Sequence, residues 1–149
     1  MEITPYHSDM RRALAELWYG SWAEAMPAYA HMASVDYLYE RLGSEVGLKW
    51  RIFLAREEDR LLGFVALDMD EASLKQLFIA TQHQGRGIGG TLLRLAKVEL
   101  PHGMTLEALD IPKTREFYER NGFRREGTVL HAFGNEMIVY RWKPDGAAA

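Results

Sequence analysis

The sequence predicts a single domain of mixed α/β class in which strands and helices alternate and the C-terminal part is β. Three observations support this prediction: two strand patterns joined by a short charged turn, a glycine-rich segment between a strand and a helix, and a last strand pair around a Gly-Asn turn. The 149 residues are enough for one core and short for two domains. We expect one domain over residues 1–149, with a frayed tail from Lys143 to Ala149.

Composition excludes several classes of protein and site. Hydrophobic residues make up 48% and the net charge is −3, with acids and bases interleaved, so a globular protein without a nucleic-acid surface is expected. The absence of cysteine excludes disulfides and thiolate metal ligands, and no His/Asp/Glu spacing resembles a metal site. No apolar stretch approaches the ~18 residues that span a bilayer. The N-terminus lacks the apolar run of a secretory signal, so we expect a cytoplasmic protein without a membrane partner.

The N-terminal third predicts one strand and two helices. The strand covers Glu2 to Tyr6, and Ser8 or Asp9 then offers an N-cap for a helix. An aromatic loop is expected from Trp18 to Tyr29, after which Ser34 to Asp36 can cap a second helix that Gly43 ends. The apolar face of the first helix would carry Met10, Leu14 and Leu17, and that of the second would carry Leu38 and Leu42.

The remaining residues predict six more strands and two more helices. The strands are expected at Arg51 to Arg56, Leu61 to Asp68, Leu74 to Ile79, Thr105 to Leu109, Val129 to Phe133 and Glu136 to Trp142. One helix follows the glycine-rich segment and carries Ile88, Leu92, Leu95, Ala96 and Glu99. The other begins at Pro112, where the missing N–H costs nothing, and ends at Gly122 in a left-handed cap that folds Phe123 back onto the last turn.

The glycine-rich segment predicts a phosphate-binding turn. It reads Gln84, Gly85, Arg86, Gly87, Ile88, Gly89, Gly90 and Thr91. At the start of a helix several backbone N–H groups lack internal partners and can converge on an anion, and glycine lets the main chain approach its oxygens. Arg86 and the helix dipole would add positive potential. His83, just before the turn, is expected to be solvated.

Two other interpretations of this segment stay open on the residues alone. The segment could be a flexible turn, although each interior glycine costs ~1 kcal/mol relative to alanine. Gly85-x-Gly87-x-x-Gly90 is also formally a dinucleotide-binding pattern, with Glu107 placed to bind a ribose. That alternative fits poorly, because such a domain continues with several more βα units.

The helix from Pro112 carries a candidate general acid. Phe117 and Phe123 suit the core, whereas Tyr118 lies ~100° further round the helix and can face a different surface. A phenol with an ordinary pKa of ~10 is protonated at neutral pH and can donate to a departing thiolate. A tyrosine half-buried for packing is the alternative.

Together, these two segments resemble the GCN5-related N-acetyltransferase (GNAT) family. The family's Q/R-x-x-G-x-G/A segment is matched by Gln84 to Gly89, and its F-Y-x-x-x-G-F segment by Phe117 to Phe123. The resemblance extends over essentially the whole chain. It implies a mixed, mostly antiparallel sheet of six to seven strands with about four helices, splayed between the strands at Leu74 to Ile79 and Thr105 to Leu109.

The resemblance also implies an activity and a cofactor. Acetyl-CoA would be the acetyl donor, with its pyrophosphate on the glycine-rich turn and its pantetheine arm on backbone groups of Phe78 and Ile79. An amine of a small molecule or peptide would attack the thioester directly in a ternary complex, and Tyr118 would protonate the leaving sulfur. Coenzyme A is then the product. A non-catalytic acyl-CoA-binding regulatory module is the alternative function.

The chain departs from the family pattern at two places. An asparagine often found seven residues before the tyrosine is Ile111 here, beside Asp110, and a glutamate that some members carry on the strand before the turn is replaced by Lys75 and Gln76. The general base is therefore unassigned, and the possible proton acceptors are Asp68, Asp70, Glu71, Glu107 and His131.

The acceptor site and the oligomeric state are only broadly indicated. The family uses its first two helices and their connection for the acceptor, so an aromatic set there could wall a pocket. Core packing or a dimer contact is the equal alternative. The set consists of Trp18, Tyr19, Trp22, Tyr29 and Tyr37. A monomer or a homodimer is expected.

Overall fold

A computed structural model describes residues 1–44, 46–131 and 133–145, with the backbone alone for 46 and 47. The described residues form seven strands: β1 (Glu2–Pro5), β2 (Arg51–Glu57), β3 (Arg60–Asp68), β4 (Ser73–Ile79), β5 (Met104–Leu109), β6 (Arg124–Leu130) and β7 (Glu136–Trp142). The α-helices are α1 (Arg11–Ala25), α2 (Val35–Ser44), α3 (Val46–Lys49), α4 (Ile88–Glu99) and α5 (Pro112–Arg120). Short 3-10 turns cover Ser8–Met10, Pro27–Met32 and Thr81–His83. None of the described helices is long and apolar enough to cross a membrane.

One mixed sheet contains all seven strands, in the order β1-β2-β3-β4-β5-β7-β6. Every neighbouring pair is antiparallel except β4 and β5, which are parallel. This confirms the predicted fold class, including both hairpins. A mostly antiparallel sheet contradicts the dinucleotide-binding alternative, whose sheet is mostly parallel.

The sheet opens between its two parallel strands. β4 and β5 pair only at Ser73 with Thr105 and at Leu74 with Leu106, so residues 75–79 and 107–109 face each other across a gap without pairing. We call this gap the fork. A bulge accompanies it: Ala66 pairs with Gln76 and Leu67 with Leu74, which leaves Lys75 as an extra residue. A bulge bends and twists its strand, and here it starts where β4 leaves β5.

Helices cover the sheet on both faces but not over its whole width. On one face, α4 and α5 pack against strands β2 to β7 through a cluster that includes Leu92, Leu93, Leu106, Tyr118 and Tyr140. On the other face, α1 and α2 pack against β2 and β3 through Leu14, Trp18, Leu38, Leu54 and Phe64. Phe78, at the fork end of β4, is packed against this second cluster.

The N-terminal helices differ from the prediction in one place. The predicted aromatic loop is wrong, because α1 continues to Ala25, and Trp18, spaced four residues after Leu14, is buried on the same face. Neither Ser8 nor Asp9 caps this helix by its side chain; the chain enters through a 3-10 turn instead. The second helix is confirmed, with the Tyr37 N–H donating to Ser34 Oγ at 3.0 Å.

The C-terminal hairpin also begins earlier than predicted. β6 covers Arg124–Leu130 rather than Val129 to Phe133, and its polar residues pair with β7 at the edge of the sheet. β6 is an edge strand that is mostly exposed, so its residues need not alternate between apolar and polar. Hydrophobic periodicity therefore could not predict the first half of β6. Within the predicted strand, Ala132 lies outside the described residues, as does most of the predicted frayed tail, residues 146–149.

Candidate active site

The glycine-rich turn joins the fork end of β4 to α4. Gly85 and Gly87 have φ values of 81° and 80°, in the left-handed region that other residues rarely adopt. Gly87 is the N-cap of α4, and its carbonyl accepts the Thr91 N–H at 3.1 Å. The two glycines therefore reverse the chain so that α4 points its N-terminus out of the turn.

Six consecutive backbone N–H groups, from residue 85 to residue 90, have no hydrogen-bond acceptor within the described part of the chain. Apart from the adjacent residues, no atom of the described chain lies within 4 Å of the place where a Cβ on Gly85 or Gly87 would be. Free N–H donors, open space beside glycine and the positive end of a helix dipole together suit an oxyanion. We call this set of N–H groups the cradle.

Arg86 contributes less positive charge to the cradle than predicted. Its guanidinium binds Glu57 Oε2 at 2.7 Å and contacts His83 Nδ1 at 3.1 Å, and so turns toward the β2–β3 hairpin. The hydrogen bond from Arg86 is the main cause that holds the pKa of Glu57 below its ordinary value. The Arg86 charge is thus already paired, and His83 is buried by these contacts rather than solvated.

Two other cations lie at the cradle, and the sequence analysis missed both. Lys113 Nζ donates to Gln84 Oε1 at 2.7 Å, while Gln84 Nε2 donates to the Ile79 carbonyl at 3.2 Å, so the Gln84 side chain links β4 to α5 across the fork. Arg94 Nη2 donates to Thr91 Oγ1 at 3.2 Å. Neither cation contacts a carboxylate among residues the structure describes. Arg94 could have been predicted from the sequence, because it follows Gly90 by one helical turn and so lies on the same side of the helix.

Tyr118 is more buried than predicted. It is 8% exposed, and its ring lies 5.0, 5.6 and 5.8 Å from the rings of Phe117, Phe123 and Tyr140. Phe117, which was expected in the core, is only half-buried and lies against Gly89. Tyr118 thus takes the core position that was predicted for Phe117. The cause is the left-handed cap at Gly122, which brings Phe123 back to donate its N–H to the Tyr118 carbonyl at 3.0 Å.

Burial sets the protonation of this tyrosine. Desolvation raises the pKa of Tyr118 above its ordinary value, so the phenol keeps its proton at any physiological pH. Its hydroxyl is not among the fully enclosed side-chain oxygens without a hydrogen bond in the described structure. These are Thr4 Oγ1, Asn135 Oδ1 and Asp68 Oδ2, of which the last has only its ion pair with Lys49. The Tyr118 hydroxyl thus keeps its proton and some access from outside.

Phe78 and Ile79 lie on β4 beyond its last pairing with β5, as the family resemblance requires. Gly63 on β3 allows a close approach there, because a Cβ on it would lie 2.7 Å from the Phe78 carbonyl oxygen. The Ala80 N–H donates to the Leu62 carbonyl, so by the alternation of an antiparallel pair the backbone groups of Phe78 point to β3 and those of Ile79 point to the fork. The Ile79 carbonyl there accepts from Gln84, which leaves its N–H facing the fork.

The five candidate bases lie in three different places. Asp68 is buried and accepts the Glu71 N–H at 3.0 Å, which is the main cause that lowers its pKa, and Lys49 Nζ lies 3.3 Å from its other oxygen. Asp70 and Glu71 share this β3–β4 turn, at the closed end of β4 and about 20 Å along the strand from Ile79. Asp68 and Asp70 stay at this closed end, whereas Glu71 pairs with Lys75 and lines, together with Glu107, a cavity of about 390 Å³ where the fork begins.

Glu107 and His131 lie nearer the fork. Glu107 is the first residue of β5 after the last β4–β5 pair, and it is exposed. Its neighbours Leu106 and Ala108 are buried in the cluster that contains Tyr118, so Glu107 projects from the opposite face of the sheet. His131 lies in the β6–β7 loop, where its Nδ1 accepts the Phe133 N–H at 3.3 Å.

The predicted aromatic set divides between core and surface. Trp18 is buried in the core, and Tyr37 is 51% exposed. Tyr29 stacks on Phe133 at 5.6 Å and Trp22 lies 5.9 Å from the same ring, so these side chains hold the β6–β7 loop against the end of α1. Beside them is a groove of about 340 Å³ between the segment after α1, the end of β5 and the start of β7. Ile111, where the family often has asparagine, lies in this groove.

Comparison with known proteins gives one family match and several similar folds. A family model described as an acetyltransferase (GNAT) domain matches residues 49–125, just over half of the chain. The fold is similar to the PaiA N-acetyltransferase of Thermoplasma acidophilum, solved in complex with coenzyme A, with 21% identity, 96% of this chain and 98% of that one covered, and a TM-score of 0.73.

Two further solved structures have the same fold. The ribosomal-protein-alanine N-acetyltransferase of Brucella melitensis is 15% identical, with coverage of 97% of this chain and 100% of that one and a TM-score of 0.75. The YncA protein of Salmonella typhimurium, solved with its cofactor acetyl-CoA, is 16% identical, with coverage of 100% and 96% and a TM-score of 0.74. At these identities the similarity establishes the fold.

Proposed function

Because this chain belongs to the GNAT acetyltransferase family, we propose that it transfers the acetyl group of acetyl-CoA to a primary amine of a small molecule or peptide. The cradle beside the fork is the observation that carries this proposal. Its six N–H groups at a helix start find no acceptor in the described part of the chain, and they lie next to the end of β4 that leaves β5. A single domain over residues 1–149, a cytoplasmic location and a monomer or homodimer stay predictions.

The residues present fit such a donor. The N–H groups of Gly85 to Gly90 would hold the diphosphate, with Gln84 and Thr91 at the ends of the segment, and Lys113 and Arg94 would supply the unpaired positive charge. The edge of β4 that faces the fork at Ile79 would bind the amide groups of the pantetheine arm as a strand binds a strand, while Phe78 holds this edge to β3. The PaiA and YncA structures, solved with coenzyme A and acetyl-CoA, support this assignment.

The proposed acid and base lie on opposite faces of the sheet at the fork. Acetyl-CoA supplies an activated acyl carbon and a thiolate leaving group. Glu107 lies on the same face of β5 as Leu109 of the groove and lines the adjoining cavity with Lys75. It would take the proton that the attacking ammonium must lose, directly or through water. Tyr118, from the other face, would donate its proton to the departing sulfur. One C–N bond forms and one C–S bond breaks, without a covalent enzyme intermediate.

Two substitutions test these roles. Tyr118→Phe should lower kcat ~10²-fold with coenzyme A affinity nearly unchanged, because the ring packing is kept and only the donor is lost. Glu107→Gln should lower kcat/KM ~10²-fold at neutral pH, with partial recovery at high pH as more amine is deprotonated in solution. Asp70→Gln, at the closed end of β4, is the control and should leave turnover unchanged. Unchanged turnover in Tyr118→Phe or Glu107→Gln would remove that residue from the mechanism.

The alternative, a non-catalytic acyl-CoA-binding module, predicts the same binding but no turnover. Thermal stabilisation by acetyl-CoA is expected in both cases. Release of free thiol from acetyl-CoA on addition of amines is expected only of an enzyme. Stabilisation without thiol release for any amine in a broad panel would favour the module.

A further inference from the structure

The groove beside the fork limits which amine can be acetylated. We propose that the acceptor is a small primary amine on an uncharged apolar body, with no carboxylate next to the amine. This inference rests on the proposed function, since it assigns the acceptor of the same site.

The groove adjoins the place where the reaction would occur. It is lined by Leu109, Asp110 and Ile111, which follow the fork at the end of β5. The end of α1 reaches the other side of the fork, where the Thr81 hydroxyl donates to Glu24 just after β4. The groove therefore opens on the wide end of the fork, on the same sheet face as Glu107, because residues two apart on a strand share a face.

The lining of the groove is mainly apolar and has a rigid wall. Met26, Pro27 and Ala28 line one side, and Leu109 and Ile111 line the other. Tyr29 adds an aromatic side chain that is fixed by stacking on Phe133. A volume of about 340 Å³ is at the lower end of the range that holds drug-sized ligands. These properties fit a compact apolar body.

The charges of the groove select against a carboxylate. The lining contains two carboxylates, Asp110 and Glu136, and no lysine, arginine or histidine. Asp110 is paired with Arg115, whereas Glu136 has no ion pair within the described chain. An ammonium is attracted to Glu136 as it approaches, whereas an adjacent carboxylate would meet this like charge. The cation beside the lining, Arg115, is already paired with Asp110.

The first experiment compares three acceptors that share one body: phenethylamine, phenylalaninol and phenylalanine. The wild-type protein should acetylate the first two with kcat/KM values within about threefold of each other, and phenylalanine at least ~30-fold more slowly, because like charges placed together are strongly unfavourable. Thiol release from acetyl-CoA is the measurement. A kcat/KM for phenylalanine equal to or above that for phenethylamine would overturn the proposal.

The second experiment changes the charge of the groove. Glu136→Lys should raise the phenylalanine-to-phenethylamine ratio of kcat/KM ~10-fold or more, and Glu136→Gln by a smaller factor in the same direction. Glu2→Lys, the same change at the start of β1 on the opposite edge of the sheet, is the matched control and should leave the ratio unchanged. If Glu136→Lys does not fold, Glu136→Gln decides. An unchanged ratio in the folded variant contradicts the assignment.

Coenzyme A binding separates a failure of this inference from a failure of the proposed function. Calorimetry that detects no binding of coenzyme A would overturn both. Binding of coenzyme A together with thiol release by other amines of a broad panel, but not by phenethylamine or phenylalaninol, would overturn the acceptor assignment and leave the proposed function intact. Binding without thiol release for any amine would overturn the proposed transfer itself.

Discussion

Gly87→Ala should abolish the binding of coenzyme A while lowering the stability of the free protein only modestly. Gly87 has φ of 80° at the N-cap of α4, and a methyl group there would meet no protein atom within 4 Å. The substitution therefore produces no steric clash in the free protein. Its cost is the left-handed backbone, ~1–2 kcal/mol for a residue with a Cβ. For a domain of this size each kcal/mol lowers the Tm by ~2–4 °C.

The effect on affinity has a different origin. The backbone strain is present in both the free and the bound protein, so it cancels from the binding free energy. The methyl group, however, occupies the space beside the cradle that the diphosphate oxygens need. A hydrogen bond to a charged group contributes ~1.5–3 kcal/mol. Displacing the anion from two N–H groups thus costs at least ~3 kcal/mol, which weakens the Kd more than ~100-fold.

Gly134→Ala is the matched control. Gly134 also has a positive φ, of 92°, with nothing within 4 Å of its Cβ position, but it lies in the β6–β7 loop. Both variants should lose similar Tm in thermal denaturation, and only Gly87→Ala should lose heat of binding in titration calorimetry with coenzyme A. Gly87→Asp, which adds a negative charge, should bind even more weakly. A Gly87→Ala protein whose Kd lies within threefold of wild type would refute the cradle.

Two further predictions concern charge and protonation. Lys113→Met should weaken coenzyme A binding ~5–10-fold in calorimetry, and Arg86→Gln less than threefold, because Glu57 already pairs the Arg86 guanidinium; the reverse order would contradict this assignment of charges. Burial, assisted by a hydrogen bond to Glu119, raises the pKa of Tyr140 to about 12. The protonated phenol contributes fully to the free energy of unfolding below pH 10, its pKa in the unfolded chain, and this contribution is lost as the pH rises from 10 to 12. Urea denaturation at pH 9 and pH 11 should therefore show ~1 kcal/mol less alkaline loss in Tyr140→Phe than in wild type, and equal losses would refute the shift.

The local parts of the site could be predicted because their causes are local. Gly85 and Gly87 imply a left-handed turn before a helix whatever surrounds them, and Gly122 implies the cap that folds Phe123 back. The two hairpins likewise follow from strand patterns around short turns. The aromatic loop was wrong because Trp18 can serve a helix as well as a loop, and only packing against Phe64 and Trp50 decides between them.

The pairing of charges could not be predicted, because it joins residues far apart in the chain. Arg86 meets Glu57 and Lys113 meets Gln84, each pair separated by 29 residues. The sequence assigned the positive potential of the cradle to Arg86 for its position in the motif. The sheet instead brings the β2–β3 hairpin to Arg86 and the start of α5 to Gln84, and so exchanges their roles.

The amino-acid sequence by itself determined the glycine-rich turn and the tyrosine segment, since each depends on neighbours within a few residues. These two segments in turn indicated the family and, through it, the mixed sheet. Only the tertiary structure decided the face on which each group lies. It brought Glu107 and Glu71 to one cavity, buried Tyr118 in place of Phe117 and opened the fork after Leu74. The physical reason is that a bulge and a change of strand partner shift every later side chain in space while leaving its local pattern unchanged.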